Sequence, residues 1–67
     1  VKAVNLVTDE VRELRFSTTH SASSYGIPVL VDVESGEAID DFSFAFYKVL
    51  EATQEEMAAL RDAGYLP

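Results

Sequence analysis

"DFSFAFYKVLEA", residues 41–52, fits two periodicities at once, and the choice between them decides the fold. Phe42, Phe44 and Phe46 alternate, as a strand requires. Phe42, Ala45, Phe46, Val49 and Leu50 stand at i, i+3, i+4, i+7 and i+8, which is the stripe of an amphipathic helix. Asp40 or Asp41 supplies an N-cap, and its charge favours a helix N-terminus. The helical template accounts for more residues and predicts a helix over 42–52. It leaves Phe44 and Tyr47 off the stripe, to be buried by another element or a second subunit.

On the C-terminal side lies "TQEEMAALRDAG", residues 53–64, the clearest helix in the chain. Thr53 and Glu56 have capping-box spacing, Glu55 and Glu56 sit at the positive end, and Arg61 lies near the negative end. Gly64 is the natural stop. The predicted span is 54–63.

On the N-terminal side lies "IPVLVDV", residues 27–33, a strand with Pro28 at its entry. A three-residue loop, Glu34-Ser35-Gly36, with Gly36 left-handed, turns the chain back into a hairpin over 27–41. This register sets Val33 opposite Glu37, Val31 opposite Ile39 and Val29 opposite Asp41. One face then carries Val29, Val31, Val33 and Ile39. The other carries Leu30, Asp32, Glu34, Ala38 and Asp40 and is wet. Upstream, "VKAVNLVT" reads as a strand over 2–7, and Leu14–Thr18 as a short strand after a turn at Asp9–Glu13. "STTHSASSYG" (17–26) is small, polar and glycine-ended, a connection between sheet elements.

The expected fold is therefore α+β. A small antiparallel sheet, made of the 27–41 hairpin and the N-terminal strand, is packed by one or two C-terminal helices in a single acidic domain over 1–67. The expected core is Val4, Leu6, Leu14, Phe16, Ile27, Val29, Val31, Val33, Ile39, Phe42, Phe46, Val49, Leu50, Met57 and Leu60.

Composition bounds the function. Hydrophobic residues make up 48% of the 67, enough to drive folding despite the small size. With no cysteine there is neither a disulfide staple nor a thiolate metal site. Small unstapled domains gain burial by pairing, so a homodimer is one expectation. The apolar runs are far shorter than a membrane span and no secretory leader precedes them, which points to the cytoplasm. The net charge of −7 comes wholly from residues 31–67, where nine acids face Lys48 and Arg61. That field disfavours direct contact with nucleic acid or anionic lipid and favours a basic protein surface.

Most of the excess is concentrated in "DVESGEAIDD" (32–41), which holds Asp32, Glu34, Glu37, Asp40 and Asp41 and no cation. Read as an EF-hand loop from Asp32, it has Gly36, Glu37 and Ser43 where an oxygen ligand, the glycine and the final glutamate belong, so no metal is expected. His20 lacks a second histidine or cysteine for zinc. Ser17, Ser21, Ser23 and Ser24 around His20 supply the residue types of a nucleophilic triad but not its geometry, and the chain is too small for a deep catalytic pocket. Neither an enzyme nor a cofactor is expected. "SSYGIP" lacks the lysine and glycines of a phosphate loop, and the 54–63 helix is too acidic to read DNA.

What remains is a small acidic interaction module. Asp32, Glu34, Glu37, Asp40 and Asp41 would face a basic, for example nucleic-acid-binding, protein and modulate or inhibit it, in the limit by mimicking nucleic acid. By analogy alone, phage- or mobile-element-encoded inhibitors acting in a host cytoplasm are of this kind. The competing reading is a structural or oligomerisation unit in which Phe44, Tyr47 and Tyr65 form an apolar interface and the acids only solvate.

Overall fold

The computed structural model describes residues 1–23 and 25–67. It is a small α+β fold: a five-stranded antiparallel sheet with a C-terminal helix. The elements run β1 (Lys2–Asn5), β2 (Val11–Ser17), β3 (Val29–Asp32), β4 (Ala38–Ile39), α1 (Asp41–Phe44), β5 (Tyr47–Glu51) and α2 (Gln54–Asp62). The strand order is β4-β3-β2-β1-β5. The chain thus starts inside the sheet and adds its last strand beside its first.

β1 and β2 form a hairpin with Lys2 opposite Glu13 and Val4 opposite Val11. Asn5 builds its turn, because its side-chain oxygen accepts from the amides of Val7 and Thr8 at 2.9 and 3.3 Å. Asp9 takes the left-handed conformation that Asp tolerates better than most residues (φ 61°). The sequence reading, which placed a turn at Asp9–Glu13 and a strand at Leu14–Thr18, is therefore corrected to one strand over Val11–Ser17.

The predicted helix over 42–52 is also corrected. α1 lasts one turn, capped by Asp40, whose side chain accepts from Ser43 N at 2.7 Å. Bonds from Phe46 N to Ser43 O and from Ala45 N to Phe42 O close that turn. Tyr47–Glu51 then pairs with β1, setting Ala3 against Val49 and Asn5 against Tyr47. β1 has backbone groups on both edges, and a strand from this segment satisfies the second edge, which an isolated helix could not. Tyr47 and Val49 turn inward, while Lys48 and Leu50 face outward.

The 27–41 hairpin forms, but one residue out of the expected register: Leu30 opposes Ile39 and Val31 opposes Ala38. The cause is Asp32. Its carboxylate accepts from the amides of Glu34 and Ser35 at 2.8 and 3.2 Å, and its backbone bonds Gly36 N and Glu37 O. The loop is thus four residues, Val33–Gly36, with Gly36 left-handed (φ +76°) as expected. A slip of one exchanges the faces. Leu30 and Ile39 enter the main core, and Val33 is expelled into the turn.

α2 covers one face of the sheet. Val1, Ala3, Leu14, Leu30, Ile39, Phe44 and Leu60 form the buried cluster there, with Phe16, Tyr47, Val49, Met57 and Tyr65 packed on it. Leu14, Phe16, Val31, Ile39, Val49, Met57 and Leu60 match the expected core. Leu6, Ile27, Val33, Phe42, Phe46 and Leu50 do not: each is about half exposed or more. The capping box at Thr53 and Glu56 is formed, and Gly64 ends the helix left-handed (φ +86°). Tyr65 N reaches Leu60 O and Gly64 N reaches Arg61 O, which completes a Schellman stop. That stop sends Tyr65 back toward the sheet. Among the described residues no helix is long and apolar enough to cross a membrane.

Candidate functional site

The five carboxylates of residues 32–41 are not one surface. Asp32 is buried, held by its turn bonds and lying 3.7 Å from Arg12 Nε. Glu34 meets the same guanidinium at 3.3 Å, and Glu10 meets it at 2.6 Å. Arg12 alternates in β2 with the same-face residues Leu14 and Phe16, and one residue opposite (Ala3) is core; this places its head over the end of β3. One cation thus serves three acids: Asp32 is buried out of the expected acidic row, and Glu34 stays exposed beside the guanidinium. Arg15 takes no part, since it faces the other side of the sheet opposite Val31. Glu37, Asp40 and Asp41 stay exposed.

The expected apolar interface is likewise reassigned. Phe44 is buried, stacks on Tyr47 at 5.8 Å and meets Tyr65 edge-on at 5.5 Å. Tyr65 also meets Phe16 edge-on at 6.2 Å. Phe44 is thus part of the core, and Tyr47 and Tyr65 are half-buried against it. The Tyr65 hydroxyl has a further role. It accepts from Leu30 N at 3.0 Å and donates to Ile39 O at 2.7 Å, bridging a rung of the β3–β4 ladder. Burial raises its pKa above the ordinary phenol value, and the nearby charges of Asp41 and Asp40 push the same way, against the opposing Leu30 N–H.

His20 is a latch for its loop. Its Nδ1 accepts from Ala22 N at 3.0 Å, so the proton sits on Nε2, which donates to Gly36 O at 3.0 Å. Both ring nitrogens are thus engaged by backbone groups. Ser17 accepts from the amides of Thr19 and His20, and Ser23 donates to Ile27 O. Ser24, grouped with them from sequence, lies outside the described residues. Among the described residues no group of three His, Asp or Glu is arranged to hold a metal.

What the fold does assemble is a groove. Two adjoining hollows of about 280 and 250 Å³ share Ile27, Pro28 and Ala63. Phe16 and Ala59 extend the apolar floor on one side, and Tyr65 and Val29 on the other. Asp40 and Asp41 line one end and Asp62 the other. Among the described residues no cation pairs with any of the three. Asp40 is held ionised below the usual carboxylate range by Ser43, first through its backbone amide and then through its hydroxyl. Ile27 is 57% exposed at the lip. Asp40 and Asp41 were legible in the sequence as candidate contacts. Ile27 and Asp62 were not, because the groove is built from four separate segments and no local pattern announces it.

A third hollow, about 330 Å³, lies at Val1 between Glu13, Glu51, Thr53 and Glu56. The Val1 amino group donates there to Glu56 at 2.7 Å and to Leu14 O at 3.0 Å. That bond, then the one from Thr53 N, lowers the Glu56 pKa. No protein-family model, curated protein or solved structure matches the chain.

Proposed function

We propose that this protein is a small acidic interaction module that binds a basic, amphipathic segment of another protein in the groove beside α2, and thereby modulates or blocks that partner. The observation that carries the reading is an apolar floor closed at both ends by unpaired carboxylates. A segment with an apolar side and flanking Lys or Arg matches it in both respects. The apolar floor supplies affinity and the net charge of −7 supplies steering, which raises association rates and fades with salt. Basic surfaces of this kind are common on nucleic-acid-binding proteins, so such a protein is the proposed partner class. Mimicry of a duplex is set aside, because Asp32 is buried and Glu34 is shared with Arg12, which breaks the regular row of charge that mimicry needs.

The test uses a short amphipathic Leu/Lys peptide as probe. Binding is followed by fluorescence anisotropy at several salt concentrations and mapped by amide chemical shifts. Binding should weaken with salt and shift the amides of Ile27, Ala59, Ala63 and Tyr65. Asp40→Asn/Asp41→Asn/Asp62→Asn should weaken it about tenfold, or about 1.4 kcal/mol. Asn caps helices as well as Asp, so α1 survives in this variant. Neutralising Glu37, Glu51 and Glu55 removes the same charge and should cost far less. Equal losses in the two triple variants, or shifts centred elsewhere, would refute the groove.

A further inference from the structure

We infer that the sheet face opposite α2 is the contact surface for a second copy of this chain, packed face to face about a two-fold axis. Alternation along β1, β2 and β5 sends Val4, Val11 and Leu50 to that face together with Lys2, Glu13 and Lys48. The ladder continues one step further, with Leu6 N donating to Phe46 O at 2.8 Å, and Phe42 packs edge-on against Phe46 at 6.4 Å. Among the described residues nothing covers this end: Leu6, Val7, Val11, Phe42, Phe46 and Leu50 are 57, 74, 52, 77, 51 and 49% exposed.

Three observations select a second copy as occupant. The first is area. With large apolar side chains on the order of 150–250 Å² each, the six present on the order of 600 Å². That reaches the top of the range for the largest patch on a monomer, about 300–600 Å². It is also most of the roughly 800 Å² each partner gives a stable interface. The second is charge. Lys2, Arg15 and Lys48 against Glu13 and Glu51 leave this face nearly neutral on a molecule of −7, so two copies meet here with the least repulsion. The third is geometry. Lys48 in the middle of the free edge strand opposes edge-to-edge pairing, whereas a lysine at the rim of a face can extend into water. Face packing buries the patch and forms a two-sheet sandwich, with inner faces about 10 Å apart.

Sedimentation velocity across micromolar to submillimolar concentration tests this on the intact chain. The mass should rise with concentration from that of the 7.4 kDa monomer toward twice that value. Phe46→Glu and, separately, Val11→Lys should each weaken association at least tenfold with an unchanged far-UV spectrum, while the triple Asp→Asn groove variant should associate at least as strongly as wild type. A monomer at all concentrations overturns the inference. So does association that survives both face substitutions, or that is lost only in the groove variant. The groove reading stands or falls separately, on the peptide experiment.

Discussion

Replacing Tyr65 by Phe removes one oxygen and should cost a large share of the stability. In the native fold that oxygen joins Leu30 N–H to Ile39 C=O, and Leu30 is fully buried. Without it, two backbone groups lose their partner where water cannot replace it, at about 1–3 kcal/mol each, less whatever the strands regain by closing on one another. The net expectation is about 2–4 kcal/mol. A chain of this length has roughly 3–10 kcal/mol in total. Urea titration followed by circular dichroism should show the midpoint falling by roughly 2–4 M, with an unchanged slope near 1 kcal/mol/M. Hydrogen exchange should place the earliest loss at the Leu30 amide. The pH dependence supplies a second readout. The folded-state pKa of Tyr65 is raised, so its contribution is complete below the unfolded-state value of about 10 and is lost as the pH rises through the folded-state value. Wild type should therefore lose stability above about pH 10 by an amount absent from Tyr65→Phe, with Tyr25 and Tyr47 present in both proteins. A loss under about 0.5 kcal/mol, with Leu30 still protected, would mean the strands close directly and the bridge is dispensable.

Arg12→Ala should destabilise by about 1–2 kcal/mol, because it leaves buried Asp32 without its cation and frees Glu10 and Glu34 to repel. Thermal melts at low and high salt should show the difference narrowing as salt rises, whereas a salt-independent loss would assign it to packing of the arginine stem. Thr53→Ala should cost about 1 kcal/mol by removing the acceptor for Glu56 N, 3.1 Å away, measured by chemical denaturation. Thr53→Ser should restore most of it, and failure to do so would point to the threonine methyl instead of the cap.

The parts of this protein that its sequence determined by itself are those governed by neighbouring residues. The capping box of α2, its stop at Gly64, the left-handed Gly36 and the α+β composition all follow from local hydrogen bonding and allowed dihedrals, which act within a few positions. The tertiary structure decided the rest. Residues 41–52 satisfy both helix and strand periodicities, the helical one at more positions, and what settles them as a strand is the unpaired edge of β1, more than forty positions earlier. The hairpin register turned on whether the Asp32 carboxylate would seek water or its own turn, and Arg12 on the adjacent strand supplies the counter-charge that lets it stay inside. Tyr65, aromatic and near the end of the chain, was readable as a surface candidate until a bond across 35 positions made it a rung of the sheet. Charge could be counted in the sequence, but its placement could not. An ionic or apolar contact depends on distance in space, and strand pairing sets those distances over the whole chain at once.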